Sequence, residues 1–169
     1  MAEISVSEYT DDRREALIEM ILEIQRQEFK IPITREDQPD LAAIPRFYQQ
    51  GNGNFWVAEC DGQVVGSVGL LDIGNQQVAL RKMFVKADFR GGDHGTAQRL
   101  LQTVAAWVGQ RGVTDVFLGT TDKFLAAHRF YEKNGFVRID KTNLPDTFPV
   151  MKVDTVFYHR RTTALPGKK

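Results

Sequence analysis

The sequence predicts an α/β (α+β) fold, in which a single domain has a mixed, mostly antiparallel sheet of about seven strands flanked by about four helices. Two observations support this prediction. Short apolar runs joined by glycine-containing turns indicate strands, and longer segments repeat apolar residues at helical spacing. In chain order these segments predict β-α-α-β-β-β-α-β-α-β-β. We expect the domain to span residues 1–159 and a polar tail to follow at 160–169.

The N-terminal third is predicted to contain one strand and two helices. The strand lies around Val6, and Asp11 or Asp12 caps a helix that ends near Phe29. A loop with prolines at 32 and 39 separates this helix from a second one, at residues 41–50.

The remaining elements follow from the same signals. Asp61-Gly62 and Gly74-Asn75 predict tight turns between three antiparallel strands. Asp122 is predicted to cap a late helix, and Gly135 to end it. The predicted strands and helices of this part, apart from the helix after the third strand, cover residues 55–60, 63–71, 78–85, 113–118, 123–134, 136–139 and 150–158.

Composition disfavours several classes of function. Lys plus Arg and Asp plus Glu are equal at 22, so no net charge attracts nucleic acid or an anionic membrane. No apolar run approaches the roughly 18 residues of a membrane span. The single cysteine, Cys60, permits no internal disulfide, and a cytoplasmic location is expected. No histidine or cysteine pair has metal-ligand spacing, so we expect no metal.

The segment from Met83 to Leu101 carries the strongest sign of a ligand site. A short apolar strand leads into a turn that contains Arg90 and glycines 91, 92 and 95, and a helix with a regular apolar face follows. The first turn of such a helix directs free N–H groups and a positive dipole end into the glycine turn. A phosphate or pyrophosphate would fit there. The spacing matches neither the phosphate loop of nucleotide hydrolases nor the dinucleotide fingerprint.

This turn, together with the block from Phe130 to Phe136, resembles the GNAT superfamily of N-acetyltransferases. The family signature for acetyl-CoA is Q/R-x-x-G-x-G/A, and it fits here in two ways. Counting forward from Arg90 makes Gly95 the last glycine. Counting backward from the helix makes Gly95 to Ala97 the final triplet, places Gly92 at the Q/R position and requires a longer loop. We prefer the second alignment because it keeps the apolar face of the helix in register.

The resemblance implies acetyl-CoA as co-substrate and a specific set of contacts to it. The strand would pair with the pantetheine arm, and one of its N–H groups would donate to the thioester oxygen, a contact worth roughly 3 to 4 kcal/mol. Amides of the glycine turn would hold the diphosphate, with Arg90 adding a charged contact. The implied cofactor-binding residues are Met83, Phe84, Val85, Arg90, Gly91, Gly92, Asp93, His94, Gly95, Thr96, Ala97 and His128.

Tyr131 is the implied catalytic residue. Its phenol would give a proton to the departing thiolate, since an unperturbed phenol stays protonated at neutral pH. The alternative is that Tyr131 is a half-buried aromatic residue of an amphipathic helix. His128, one turn earlier, is either a contact to the cofactor or the phenol, or a residue of the helix surface.

The general base has no motif, because Ala79 occupies the position where relatives carry glutamate. Glu59, Asp72 or a water chain are the alternatives. Phe124 replaces an asparagine that many relatives carry. Cys60 is predicted to be a core residue, and Arg81-Lys82 an ordinary solvated pair unless the acceptor is acidic.

The favoured function is therefore transfer of an acetyl group from acetyl-CoA to a primary amine of a small molecule, peptide or protein. The alternative is a non-catalytic acyl-CoA sensor. Dimers through the closing strands are common in families of this kind, so a homodimer is a possible partner arrangement. No nucleic acid and no membrane are expected as partners.

Overall fold

A computed structural model describes residues 3–90, 95–151 and 153–162. The strands of this part are β1 (Ser5–Glu8), β2 (Asn54–Cys60), β3 (Gln63–Gly74), β4 (Gln77–Val85), β5 (Asp115–Thr120), β6 (Val137–Ile139) and β7 (Val156–Arg161). The α-helices are α1 (Arg14–Leu22), α2 (Ile44–Phe47), α3 (Thr96–Arg111) and α4 (Leu125–Lys133). The order of these elements confirms the predicted order.

The strands form one sheet in the order β1-β2-β3-β4-β5-β7-β6. Neighbouring strands of the described chain are antiparallel except for β4 and β5, which run parallel. A parallel pair needs a crossover connection, and α3 supplies it. The mixed, mostly antiparallel sheet is thus confirmed.

Helices cover both faces of the sheet. Successive side chains of a strand point to opposite faces, and β2 illustrates this alternation. Its residues Trp56 and Ala58 pack in a cluster with the apolar side of α3, whereas Phe55 and Val57 pack in another cluster with α1 and α2. Helices α3 and α4 therefore lie on one face, and α1 and α2 on the other.

Both predicted hairpin turns are present. Asp61 and Gly62 have φ of 53° and 77°, and Asn75 and Gln76 have φ of 55° and 62°. Positive φ at both central residues characterises the type I′ turn, whose twist matches that of the flanking strands. The second turn lies one residue later than predicted, because Gly74 still belongs to β3.

The sequence predicts one continuous helix from residue 11 or 12 to residue 29, but the structure divides this segment into three parts. A 3₁₀ turn at Asp11–Arg13 precedes α1, and neither aspartate makes a capping hydrogen bond. After α1 the chain widens into a π-helical turn, Glu23–Glu28, in which the Phe29 amide donates to the Ile24 carbonyl at 3.1 Å. Apolar spacing does not distinguish such a turn from an α-helix.

The second helix is shorter than predicted. A 3₁₀ turn covers Pro39–Ala43, and α2 begins only at Ile44. Pro45 explains the break, since proline has no N–H to donate and is accommodated only in the first turn of a helix.

The C-terminal boundaries also differ from prediction. Helix α4 begins at Leu125, and Phe124 rather than Asp122 occupies the cap position. Strand β5 starts two residues later than predicted. Strand β7 starts at Val156 and continues to Arg161, which pairs with Asp115. Pairing with β5 thus extends the strand into polar residues, so the predicted boundary at 159/160 lies inside β7.

Candidate functional site

A cavity of about 420 Å³ opens where β4 and β5 part. The two strands pair only at residues 77–79 and 115–117. Beyond Ala79, β4 has no partner on this side among the described residues, so the backbone of Met83 to Val85 borders the cavity as an open strand edge. The three residues predicted to pair with a pantetheine arm therefore lie where an extended ligand can reach their main chain.

A β-bulge at Lys82 bends the open part of β4. Phe84 pairs with Ser67 and Arg81 with Gly69, so β4 has one more residue than β3 between these pairs. Lys82 has φ of +56°, and its carbonyl accepts from the Ser67 hydroxyl at 2.7 Å. Such bulges redirect side chains, and the two residues predicted as solvated charges, Arg81 and Lys82, both line the cavity.

Helix α3 begins at the other predicted part of the site. Gly95 has φ of +58°, a conformation that favours glycine, and nothing lies within 4 Å of where a Cβ would be. Thr96 follows, wholly buried, and its hydroxyl has no hydrogen-bond partner within the described chain. Ala97 lines the cavity. The predicted contacts Gly91, Gly92, Asp93 and His94 lie outside the described residues.

Arg90 lies at the rim of the cavity, but its guanidinium is already engaged. It forms a bidentate ion pair with Glu28, whose Oε1 accepts from Nη2 at 2.7 Å. Its Nε donates to the Val85 carbonyl at 2.7 Å, and the group lies over the Phe29 ring. A phosphate contact by Arg90, as predicted, would have to replace Glu28.

Tyr131 lines the cavity from α4 and is buried rather than half-buried. Its ring packs against Phe130, Phe136 and Tyr158. Its hydroxyl makes no hydrogen bond to any described residue, and burial, with a smaller effect of Tyr158, raises its pKa above the usual phenol value. A protonated phenol without a partner thus lies at the strand opening.

The side chain of His128 contacts Thr121 and Tyr158. Its Nε2 is 2.9 Å from the Thr121 carbonyl oxygen, and its ring lies 6.0 Å from that of Tyr158. It does not line the cavity. Phe124 does line it, and its ring makes edge contacts with Phe29 and Phe84 at centroid distances of 4.7 and 6.1 Å.

The two predicted base candidates lie away from the cavity. The Glu59 carboxylate is bonded to Arg13 at 2.8 and 3.1 Å. Asp72 accepts from the amides of Asn52 and Gly74 and so holds two turns. Both carboxylates have structural partners.

The cavity is lined from both faces of the sheet. We call the part that includes Ala97, Phe130 and Tyr131 the α4 side. We call the part that includes Gln25, Arg81, Lys82 and Asp154 the α1 side. The α1 side was not predicted from the sequence.

Lys82 is the centre of a buried polar network on the α1 side. Its side chain is 7% exposed and that of Asp40 is 4% exposed, with 3.7 Å between Nζ and Oδ2. Lys82 donates to Gln38 Oε1 at 2.6 Å, and Asp40 accepts from the Tyr48 hydroxyl. Reciprocal amide hydrogen bonds join Gln38 to Gln25. The network connects the π turn, the loop before α2 and the bulge of β4.

Burial lowers the pKa of Lys82 to about 8, and the negative charge of Asp40 opposes this shift. Burial also raises the pKa of Asp154, which lines the same side. The expectation of a solvated charge was wrong for Lys82, because β4 is a central strand covered by helices on both faces. The central position of β4 in the sheet is the feature from which the burial of Lys82 could have been predicted.

No group of three or more His, Cys, Asp or Glu side chains with metal-binding geometry occurs among residues 3–90, 95–151 and 153–162. Over these ranges, every helix is too short or too polar to cross a bilayer.

The fold and the cavity together define a class of protein. A mixed sheet that parts between two parallel strands, with a glycine-led helix and a buried tyrosine beside the opening, is the arrangement expected of an acyltransferase. A family model described as an acetyltransferase (GNAT) domain matches residues 51–138. The chain belongs to this family.

Solved and curated relatives agree with this assignment. The crystal structure of an acetyltransferase of the GNAT family from Staphylococcus aureus Mu50 superposes with a TM-score of 0.91 and 40% identity, over 95% of this chain and 99% of that chain. A probable N-acetyltransferase family 8 member 5 of Mus musculus is 38% identical over 120 residues, 68% of this chain and 52% of that protein.

An N-acetylaspartate synthetase of Danio rerio is 39% identical over 105 residues, 61% of this chain and 36% of that protein. The chain therefore spans about half the length, or less, of these two curated relatives.

Proposed function

We propose that this protein transfers an acetyl group from acetyl-CoA to a primary amine. One observation carries the proposal: the open edge of β4 at Met83 to Val85 borders the same cavity as the buried Tyr131, whose hydroxyl makes no hydrogen bond to a described residue. Family membership and the S. aureus relative, which aligns over nearly its whole length, support the same reaction.

The residues present fit coenzyme A. The orphaned Thr96 hydroxyl and the left-handed Gly95 stand at the start of a 16-residue helix, where free amides and the helix dipole favour an anionic phosphate. On the side away from β3, the main chain of Met83 to Val85 offers hydrogen-bonding groups to an amide-containing arm, apart from the Val85 carbonyl, which accepts from Arg90.

Acetyl-CoA supplies a thioester, from which an amine takes the acetyl group as the carbon–sulfur bond breaks, one proton leaves nitrogen and one reaches sulfur. An N–H of the open β4 edge donates to the carbonyl oxygen as negative charge develops there. Tyr131 gives its hydroxyl proton to the departing sulfur and regains one from solvent. Burial keeps this hydroxyl protonated throughout the working pH range.

The cavity offers two groups that could take the proton of the amine. Asp154 lines it with a raised pKa, and Lys82 has a pKa of about 8. Asp154 fits the reaction better than Lys82, Glu59 or Asp72, because those three are held by structural partners whereas Asp154 makes no ion pair within the described chain. We also propose a cytoplasmic setting, because the buried free thiol of Cys60 fits a reducing compartment. The homodimer remains a prediction.

An amine panel tests the proposed function. Purified protein is incubated with acetyl-CoA and each amine, free thiol is measured, and the acetylated product is identified by mass. Acceptor-dependent thiol release with an N-acetyl product is expected. Binding of coenzyme A by calorimetry without any acceptor-dependent release would support the sensor alternative instead.

A further inference from the structure

Arg81 presents an unpaired cation to the α1 side of the cavity. Its Nη2 lies 2.8 Å from the sulfur of Met151, and its Cζ lies 5.8 Å from the centre of the Tyr48 ring. Neither of these partners is an anion, and no carboxylate of the described chain forms an ion pair with Arg81. A guanidinium has five N–H donors in a planar fork that matches a carboxylate. Arg81 is therefore available to bind an anionic group of a ligand.

Asp154 presents the opposite charge to the same cavity. Its Oδ2 accepts from the Met151 amide at 2.8 Å, and it makes no ion pair within the described chain. The carboxylate packs tightly against Gly119, where a Cβ would come within 2.7 Å of Oδ2. It is thus fixed beside the end of β5. Burial raises its pKa, and the Met151 amide and the charges of Arg81 and Lys82 oppose this shift. A buried carboxylate held in this way favours a cation or a neutral N–H donor as its partner.

Lys82 does not compete for the same ligand. Gln38 and Asp40 already engage its ammonium, at 2.6 and 3.7 Å. Between the charged groups the lining is apolar, with Ile33 and Phe148 among its members. The α1 side therefore combines one available cation, one available carboxylate and an apolar surface.

From this arrangement we infer that the amine acceptor is an amino acid with an apolar side chain. Arg81 binds its carboxylate, Asp154 binds its amino group, and the apolar lining holds its side chain. This inference rests on the proposed acetyl transfer and specifies its substrate class. An ionised carboxylate on the acceptor contributes about ten- to hundredfold in kcat/KM, the value of a charge-assisted hydrogen bond.

Three matched acceptor series test the inference. Leucine, methionine and phenylalanine are each compared with their carboxamide and with the amine that lacks the carboxyl group. Rates are expressed per concentration of neutral amine, because removing the carboxylate also changes the amine pKa. We expect the free acid to exceed both analogues about tenfold or more in at least one series. Equal kcat/KM across every series overturns the inference.

Variants identify the residue responsible. Arg81→Gln is expected to lower kcat/KM for the acid to the level of its carboxamide, with little change for the simple amine. Arg81→Lys restores part of the preference, because the charge returns without the planar fork. Arg46→Gln, which changes an exposed arginine of α2, is the matched control and keeps the full preference. A preference that survives Arg81→Gln overturns the role of Arg81.

Asp154→Asn tests the amine contact. Asparagine keeps an oxygen for the Met151 amide but removes the charge. We expect KM to rise about tenfold for acids and simple amines alike.

Calorimetry with coenzyme A separates a failure of the proposed acetyl transfer from a failure of the inferred acceptor, since all variants should retain cofactor affinity. If the unaltered protein acetylates no amine at all, the proposed function itself fails. If it acetylates amines without regard to a carboxylate, only this inference fails.

Discussion

The two sides of the cavity are built in different ways. The α4 side is formed by regular elements that follow each other closely in the chain: the end of β4, the start of α3, and α4. The α1 side is formed by a π turn, a loop and a β-bulge, and it joins Gln38, Lys82 and Asp154 across more than a hundred residues of sequence. The first is encoded locally, whereas the second exists only after the sheet has formed.

This difference assigns the two sides to different tasks. A local, regular scaffold suits the contacts that every acyl transfer from coenzyme A requires. Loops and irregular turns vary more freely and carry specificity. We therefore expect changes on the α4 side to impair the transfer step for every acceptor, and changes on the α1 side to alter stability or the binding of the acceptor.

Tyr131→Phe should have the largest effect on catalysis. The variant removes the proton donor to sulfur, so kcat/KM should fall about 10²- to 10⁴-fold for all amines. Coenzyme A affinity should be unchanged, and so should stability, because the hydroxyl has no hydrogen-bond partner in the part of the chain that the structure describes. Tyr9→Phe, which loses a buried tyrosine hydroxyl away from the cavity, is the control. Normal thiol release by Tyr131→Phe would remove this residue from the chemistry.

Lys82→Met should have the largest effect on stability. Asp40 would lose its buried cation, and breaking such a pair costs about 3 kcal/mol of unfolding free energy. Lys141→Met changes an exposed lysine and should cost almost nothing. Urea unfolding measures both. Equal stability of the two variants would mean that Lys82 does not stabilise the α1 side.

The lowered pKa of Lys82 predicts that the unfolding free energy depends on pH. Burial lowers its pKa from the ordinary 10.5 to about 8 in the folded protein. Between these values the unfolded state binds more protons than the folded state, so the unfolding free energy rises with pH. The stability of the unaltered protein, relative to Lys82→Met, should therefore increase between about pH 8 and about pH 10. A constant difference over that range would contradict the shifted pKa.

Gly95→Ala separates backbone strain from ligand binding. Gly95 and Gly112 both have positive φ, +58° and +74°, at the two ends of α3. Alanine at either position should cost about 1 to 2 kcal/mol of stability. Only Gly95→Ala should also weaken coenzyme A binding in calorimetry. Equal affinities for the two variants would place the cofactor away from the start of α3.

Glu28→Gln should have the smallest effect. It releases Arg90 from its ion pair, and exposed pairs of this kind contribute less than about 1 kcal/mol to stability. If Arg90 serves a phosphate, the variant should bind coenzyme A about two- to fivefold more tightly. Glu15→Gln, which releases Arg35 on the surface, is the matched control. Unchanged affinity would leave Arg90 as a structural residue of the rim.

Much of the α4 side could be predicted because its signals are short and local. The glycine turn, the apolar face of α3 and the block around Tyr131 are each continuous in sequence. They led to the family, the order of elements and the strand edge at Met83 to Val85. The mistakes at element ends, such as the cap expected at Asp122, arose because a capping residue is chosen by the packed structure and not by its type alone.

The sequence by itself determined the family, the two-sided α/β architecture and the identity of the tyrosine beside the opening, because spacing and turn residues encode local conformation. The tertiary structure alone decided that Lys82 is buried against Asp40, that Glu59 and Asp72 belong to structural contacts, and that Arg81 lines a cavity without an ion pair to any described carboxylate. The physical reason is that burial and charge pairing depend on which distant segments meet. The β-bulge at Lys82 and the π-helical turn at Glu23–Glu28 redirect side chains without changing the apolar pattern of the chain.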